Sequence, residues 1–399
     1  MILNPFRIVI LLYFASNTLA LINGINNNGI IVEGQFFNLP IETMILSYIC
    51  ISLFLVFFYI TNTFIIKNKR PDKISINNNW GILLILIQLS FFLFNKYYNL
   101  NIAGSSYRLS EQTTANLIFI ILQPDNLFLI ISSLIPSNLI FFINTIIFAL
   151  SMSSRGWLGG LFLIGFIMLI RYYPVRLSFR RLLISIILLL LLLLFIPNLI
   201  ELKWLIRNHG NITQYFSNIS LYKNIQEINT SLQYIFNRFQ HLGHVSIFMN
   251  NSDLFYENYI NNQFLTYWWE GLPQKIVLKL LSYDSVTLSK YAVSVIYNID
   301  NPSWNINTGI VSWIFVTREY SILIAVYLVF FYIIPLYYLA KHNEYHLYML
   351  LSCFSIIFLF HGWFGAYFNI MIYTIIFQYI KRIRFRFKHK SHISKTTTQ

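Results

Sequence analysis

Arg155 is the residue through which chemistry first shows in this sequence. It stands in Ser153-Ser154-Arg155-Gly156 between two apolar segments, away from most of the other basic residues. A guanidinium offers a planar fork of N–H donors that fits phosphate oxygens, so one reading of Arg155, with Ser154 beside it, is an anion clamp at a membrane surface. The plainer reading is a side chain that snorkels to a headgroup phosphate. Gly156, Gly159 and Gly160 follow and permit close helix packing or close approach by a ligand.

A second constellation is Asn237-Arg238-Phe239-Gln240-His241-Leu242-Gly243-His244. Arg238, His241 and His244 are spaced by three, so a continuous helix would put all three on one face. A cation beside imidazoles could bind a diphosphate and move a proton near neutral pH. The alternative is the polar face of an ordinary loop helix. Two histidines with no third ligand do not make a metal site.

A third group is Asp300-Asn301-Pro302-Ser303-Trp304-Asn305-Ile306-Asn307-Thr308-Gly309, which leads into a span containing Arg318 and Glu319. Amides meet sugar hydroxyls and an indole face packs on a pyranose, so Asn301 and Trp304 suit a glycan. An interfacial loop with one aromatic belt residue has the same composition. Arg318 and Glu319 are adjacent and do not share a helix face; each pairs elsewhere or caps the start of the span. Asp125, beside Pro124 inside an apolar segment, marks either a functional acid or a break in the helix. His361 lies between the last two spans and can be simply interfacial.

Several chemistries have no residues to carry them. Cys50 and Cys353 both lie in apolar segments, which leaves neither a disulfide framework nor a zinc-type ligand set. No Gly-rich phosphate loop, His-Glu-x-x-His or Ser-centred elbow occurs. No cofactor and no metal is expected.

The elements that position these residues must be membrane helices. Of 399 residues 57% are hydrophobic, 18% aromatic and only 11% charged, so apolar runs dominate the chain. Stretches of about membrane-spanning length fall near residues 5–22, 44–66, 80–95, 115–134, 138–153, 157–171, 182–200, 309–340, 346–361 and 364–380. The first looks like a signal sequence but reads as an uncleaved helix, because so many spans follow. The expected fold is an all-α polytopic membrane protein of ten spans. It divides into a bundle over 1–200, a large loop over 201–308, a second bundle over 309–380 and a basic tail over 381–399.

Seventeen of the 28 basic residues fall on the side that holds both termini, against only Asp72 and Glu344. The whole net charge of +14 therefore lies there, which predicts cytoplasmic termini and an exported 201–308 loop. The basicity implies contact with membrane lipids, not nucleic acid. Within the loop, 223–250 and 274–297 show helical spacing of apolar residues, and no internal repeat of the transporter kind is present.

In the order of these parts the chain resembles the Wzy-type O-antigen and related surface-polysaccharide polymerases, membrane glycosyltransferases of the GT-C type. The residues that carry the resemblance are Ser153-Ser154-Arg155-Gly156, Arg238 early in the large loop, Trp269-Glu270-Gly271-Leu272-Pro273-Gln274-Lys275, and Asn301-Pro302-Ser303 followed by Gly309. Thr317-Arg318-Glu319-Tyr320 departs from a stretch that is often richer in glycine. The resemblance implies an enzyme of the bacterial inner membrane that joins undecaprenyl-diphosphate-linked oligosaccharides at the periplasmic face for lipopolysaccharide biosynthesis. It implies Arg155 and Arg238 as the pair that handles the diphosphate; for the acceptor hydroxyl the residues themselves offer His241 or His244 as base, with Glu257 and Glu319 behind them. Ser154, Lys275, Asn301, Trp304, Arg318 and Glu319 would contact substrate, and a partner would set chain length. An O-antigen ligase acting on lipid A core and a lipid-linked oligosaccharide flippase are the alternatives.

Overall fold

The computed structural model describes residues 2–66, 76–103, 114–157, 159–176, 179–207, 221–283, 286–300, 302 and 304–381. The expected basic residues Lys67, Lys69, Arg70, Lys73 and those after Lys381 lie outside that set, as do Asp72, Asn301 and Ser303. The described chain is largely helical, and five of its helices are long and apolar enough to cross a membrane: Pro5–Asn27 (α1), Ile41–Ile66 (α2), Asn78–Tyr98 (α3), Thr114–Leu134 and Gly309–Lys341. Shorter apolar helices follow four of the remaining expected spans, Asn138–Ser154, Gly159–Arg171, Tyr345–Phe360 and Phe364–Ile380, and the expected span 182–200 lies within the 29-residue helix Phe179–Arg207.

Local sequence explains where these helices begin and end. Asn4 accepts from the Phe6 and Arg7 N–H groups at 3.0 and 3.3 Å ahead of Pro5, so α1 starts on a side-chain cap with proline at its first position. It stops at Asn28, which adopts the left-handed conformation. Helix α3 starts on the Asn77 side chain and stops at left-handed Asn99 in the same way. The Thr114–Leu134 stretch is broken at Gln123, whose φ of 44° precedes Pro124, giving Thr114–Leu122 (α4) and Pro124–Ile131 (α5). Asn138–Ser154 is α6, Gly159–Arg171 is α7 and Phe179–Arg207 is α8, which runs past the expected end of its span.

The packing is that of a protein in lipid. Along α2 the buried side is Ile51, Leu55, Phe58 and Asn62, at spacings of three and four, while Leu53, Ile60 and Phe64 face outward. Polar side chains sit inside and bond across helices: Gln88 to Asn144 at 2.7 Å and Asn62 to Ser352 at 2.7 Å.

Two ends of the bundle can be distinguished. At one, Ile2–Leu3 pairs antiparallel with Val175–Arg176, Tyr173 stacks on Tyr345, and Lys381 and Glu344 form a buried ion pair. This is the basal end. At the other, which we call the loop end, the hairpin of Gly29–Val32 and Gln35–Asn38 lies over the helices, and the long segment after α8 begins.

That segment folds as Leu221–Phe239 (α9), Leu242–Asn250 (α10), Ser252–Ile260 (α11), Leu272–Leu280 (α12) and Leu288–Tyr297 (α13). Helix α9 packs along α8 and returns toward the bundle, whereas α10 is inserted between α2 and the helix that begins at Gly309. The expected continuous helix over 223–250 is therefore broken at Gln240–His241. Asn17 Oδ1 of α1 accepts from the His241 and Leu242 N–H groups at 2.8 and 3.0 Å, and Gln240 Oε1 accepts from Gly243 N–H at 3.0 Å. These side chains cap a new helix instead of letting the old one continue.

The apolar stretch Gly309–Lys341 is also two elements. Gly309–Thr317 (α14) starts against His361 and runs beside α10 in the same direction; Arg318, at its far end, reaches Ser252 and Asp253. Arg318 has φ 45° and ψ −113°, and the chain folds back there, so Trp313 and Tyr327 meet the same Tyr267 ring at 5.0 and 5.1 Å. Ile322–Leu328 (α15) then continues through a π-turn, Val329–Ile333, into Ile334–Lys341 (α16), back to the basal end. A straight helix of that whole length would measure about 50 Å, well beyond a bilayer's apolar core. Tyr345–Phe354 (α17), widening into a π-turn over Ser355–Phe360, and Phe364–Ile380 (α18) complete the chain.

Candidate functional site

At the loop end, α8 and α9 bring four polar side chains together. Lys203 and Arg207 stand one turn apart at the end of α8; Tyr234 and Arg238 stand one turn apart at the end of α9. The Tyr234 hydroxyl oxygen accepts from Lys203 and, at 3.2 Å, from Arg238. Arg238 lies over the Tyr234 ring at 5.0 Å and pairs with Glu33 of the hairpin at 3.3 Å. Arg207 donates to the Gly156 carbonyl at 3.4 Å and packs on Trp204. Burial would push the Tyr234 phenol up, but the charges of Arg238 and Lys203 and their hydrogen bonds outweigh it and hold the phenol below its usual range. Arg238 responds oppositely: burial disfavours its charge, and Glu33 and Tyr234 more than restore it.

Three cations against one carboxylate make this cluster strongly basic, with its donors held in fixed directions. Sequence reading singled out Arg238 alone. The signal for the rest was present, since Lys203 and Arg207, like Tyr234 and Arg238, are spaced by four on helices that lie against each other.

Beneath the cluster, where α10 and α14 both begin, lies a group of imidazoles. His241 stacks on Tyr13 of α1 with centroids 5.6 Å apart and meets the His361 ring edge-on at 4.5 Å. His361 shares a 3.0 Å hydrogen bond with the Tyr13 hydroxyl. Gly309 and Gly362, with φ of 67° and 91°, make the crossing: a Cβ on Gly362 would fall 2.5 Å from the Gly309 nitrogen. Neither ring nitrogen of His241 or His244 has a partner of good hydrogen-bond geometry, and the Asn307 backbone beside His241 offsets only part of the effect of burial.

Burial, followed by the neighbouring charges, pushes all three histidines down, His244 and His361 to about 3. They are neutral imidazoles at any ordinary pH, poor bases able to donate or accept a hydrogen bond. Among the described residues no group of three or more His, Cys, Asp or Glu is placed to hold a metal.

The other expected site residues are dispersed. Arg155 is 5% exposed; its guanidinium donates to both Asp125 oxygens at 2.9 and 3.0 Å and to the Ser151 carbonyl at 3.0 Å, with the Phe91 ring at 4.9 Å. Its fork is thus turned to α5, and only the backbone of the next residue, Gly156, touches the basic cluster. Ser154 donates to the Ser151 carbonyl. Arg318 pairs with Asp253, and Glu319 accepts from Tyr256; neither side chain caps a helix, since α14 begins at Gly309 and α15, after the reversal, begins behind Ser321 with no side-chain cap. Trp304 is half-buried against Tyr297 at 5.1 Å. Asn301 lies outside the described residues.

Lys275 is exposed on α12, next to a residue to which the sequence assigned no role. Glu270 precedes Gly271 (φ 152°) and sits on the first turn of α18, where it accepts from the Gly365 N–H. Burial raises its carboxyl to about 7; Lys275 and the Gly365 bond offset this only in part. Trp269, directly before Glu270, and Trp363, two residues before Gly365, are both 42% exposed.

Comparison with protein-family models, with curated proteins and with solved structures finds no match to this chain.

Proposed function

We propose that the chain is a membrane glycosyltransferase that polymerises oligosaccharide repeat units carried on undecaprenyl diphosphate, with its loop end at the periplasmic face of a bacterial inner membrane and both termini in the cytoplasm. The observation that carries this reading is the convergence of Lys203 and Arg238 on the Tyr234 hydroxyl, with Arg207 one turn along α8 within electrostatic reach of both Tyr234 and Arg238, at the end of a helix bundle from which a lipid-borne substrate can approach sideways. A diphosphate is the anion such a cluster of forked donors fits.

The reaction asks for little beyond charge and position. An acceptor hydroxyl oxygen attacks the anomeric carbon of the donor sugar, the bond from that carbon to the diphosphate oxygen breaks, and the electron pair leaves on the lipid diphosphate. The cationic side chains stabilise that leaving charge. The hydroxyl proton passes to a carboxylate, for which Glu270, poised near neutrality, is better matched than the suppressed histidines. The GT-C assignment belongs to the same reading, resting on the order of helices and the one large loop, and a partner that sets chain length would act on the same face.

The test is the lipopolysaccharide ladder of a strain lacking the gene, complemented with wild type, Arg207→Ala or Arg238→Ala at matched membrane levels. Restoration of the ladder by wild type and its failure with either variant supports the reading. Bare core with accumulated lipid-linked polymer in the null strain identifies a ligase instead.

A further inference from the structure

Helix α12 is amphipathic and unusually uncovered. None of its residues is buried. Ile276, Val277, Leu280 and the following Leu281 are 48, 44, 79 and 68% exposed and share one side of the helix, whereas Lys275 and Lys279 fall on the opposite side. The helix contains no acidic residue.

Its height in the molecule is fixed. Leu272 N–H donates to Asn369 Oδ1 at 2.8 Å, and Gly271 packs on Gly365 and Phe368, so the helix starts against the first turns of α18. Helix α18 has 17 residues, which rise about 25 Å from the basal end, less than the roughly 30 Å apolar core of a bilayer. An element pinned to that level meets lipid before it meets bulk water.

We propose that α12 lies in the surface of the membrane leaflet at the loop end, with Ile276, Val277, Leu280 and Leu281 among the acyl chains and Lys275 and Lys279 turned toward headgroup phosphates. An apolar stripe opposite a basic stripe, without acids, is the composition that binds an anionic lipid surface. The inference stands apart from the glycosyl-transfer reading and needs only that the chain spans a bilayer. The helix then acts as a float that keeps Glu270 and the first turns of α18 at headgroup level.

The test uses the full chain in vesicles of phosphatidylethanolamine and phosphatidylglycerol, with an environment-sensitive fluorophore on Leu280→Cys, Ile276→Cys, Lys275→Cys or, for comparison, Tyr222→Cys on α9; the parent chain with Cys50 and Cys353 sets the background. Labels at 276 and 280 should shift to the blue and be quenched by lipids spin-labelled high on the acyl chain, while the label at 222 is quenched by aqueous iodide. Iodide quenching at 276 and 280 as strong as at 222 overturns the proposal. Shielding from both quenchers overturns it as well, since a protein surface, such as a second copy, would then be the occupant. A second variant, Leu281→Asp, should reduce lipid quenching at 276 without loss of folded protein.

Discussion

Arg155 and Asp125 form a bidentate-like pair inside the bundle, one guanidinium nitrogen reaching both carboxylate oxygens at 2.9 and 3.0 Å. Removing either partner leaves a charge with little water to solvate it, and breaking such a pair costs on the order of 3 kcal/mol. Asp125→Ala and Arg155→Ala should therefore both lower the amount of folded protein and its thermal midpoint. In a double-mutant cycle the two losses should not add. Additive losses would show that Arg155 works without Asp125.

Charge at the basic cluster should control donor use. Arg207→Ala, Arg238→Ala and Lys203→Ala should each reduce polymerisation roughly a hundred- to a thousandfold, the usual loss when one donor to a developing anion is removed. Glu33→Gln takes away the only carboxylate paired with Arg238 among the described residues and should tighten binding of a lipid diphosphate. Kinetics in proteoliposomes with extracted lipid-linked repeat units measure both, and unchanged rates for all three basic variants would dismiss the cluster.

Glu270 sets the expected pH dependence. A base must be deprotonated to act, so the rate should rise about tenfold per pH unit below the Glu270 value of about 7 and level off above it. Glu270→Gln keeps an oxygen for the Gly365 N–H and should remove this limb together with most activity. Stability should run the other way. A carboxyl whose value is raised on folding favours the protonated fold, so stability declines as pH climbs from the ordinary carboxylate range to about 7, then stays level. Glu270→Gln should remove that contribution, read as a difference between the wild-type and variant thermal midpoints that closes as pH climbs from 4 to 8. The buried histidines act on stability in the opposite sense: neutral in the fold but free to protonate near 6.5 once unfolded, they make stability rise with pH up to about 6.5.

Gly362 should tolerate no side chain. A methyl group there meets the Gly309 nitrogen at 2.5 Å on a residue with φ of 91°, and both penalties act at once. Gly362→Ala should cost more than about 1 kcal/mol and, by parting α14 from the His361 turn, loosen the histidine group; enhanced proteolysis near 309 would report it.

Much of the helical framework could be read from the chain, because apolar runs of spanning length leave little choice of structure. The residues that bend the framework were harder. Asn17 is one polar residue in an apolar helix, and nothing local reveals that its amide oxygen ends one helix and starts another at His241. Arg318 looked like a residue near the mouth of a span, whereas it marks a reversal held by Asp253 and the Tyr267 aromatic contacts, all distant in sequence. Arg155 was visible as an anomaly, and so was Asp125, but not that each explains the other. Lys203 and Arg207 were legible in spacing, yet their meaning depends on which face of α9 they meet.

The short helices have a consequence for the choice of membrane. Gly159–Arg171 has only 13 residues and turns Phe162 and Met168 outward, so that part of the perimeter is matched to acyl chains shorter than those that suit α2, with its 26. Hydrophobic mismatch of this uneven kind costs fractions of a kcal/mol per Å and is relieved where the bilayer thins. Lipid tail length thereby becomes a variable that tunes the strain on that side of the bundle.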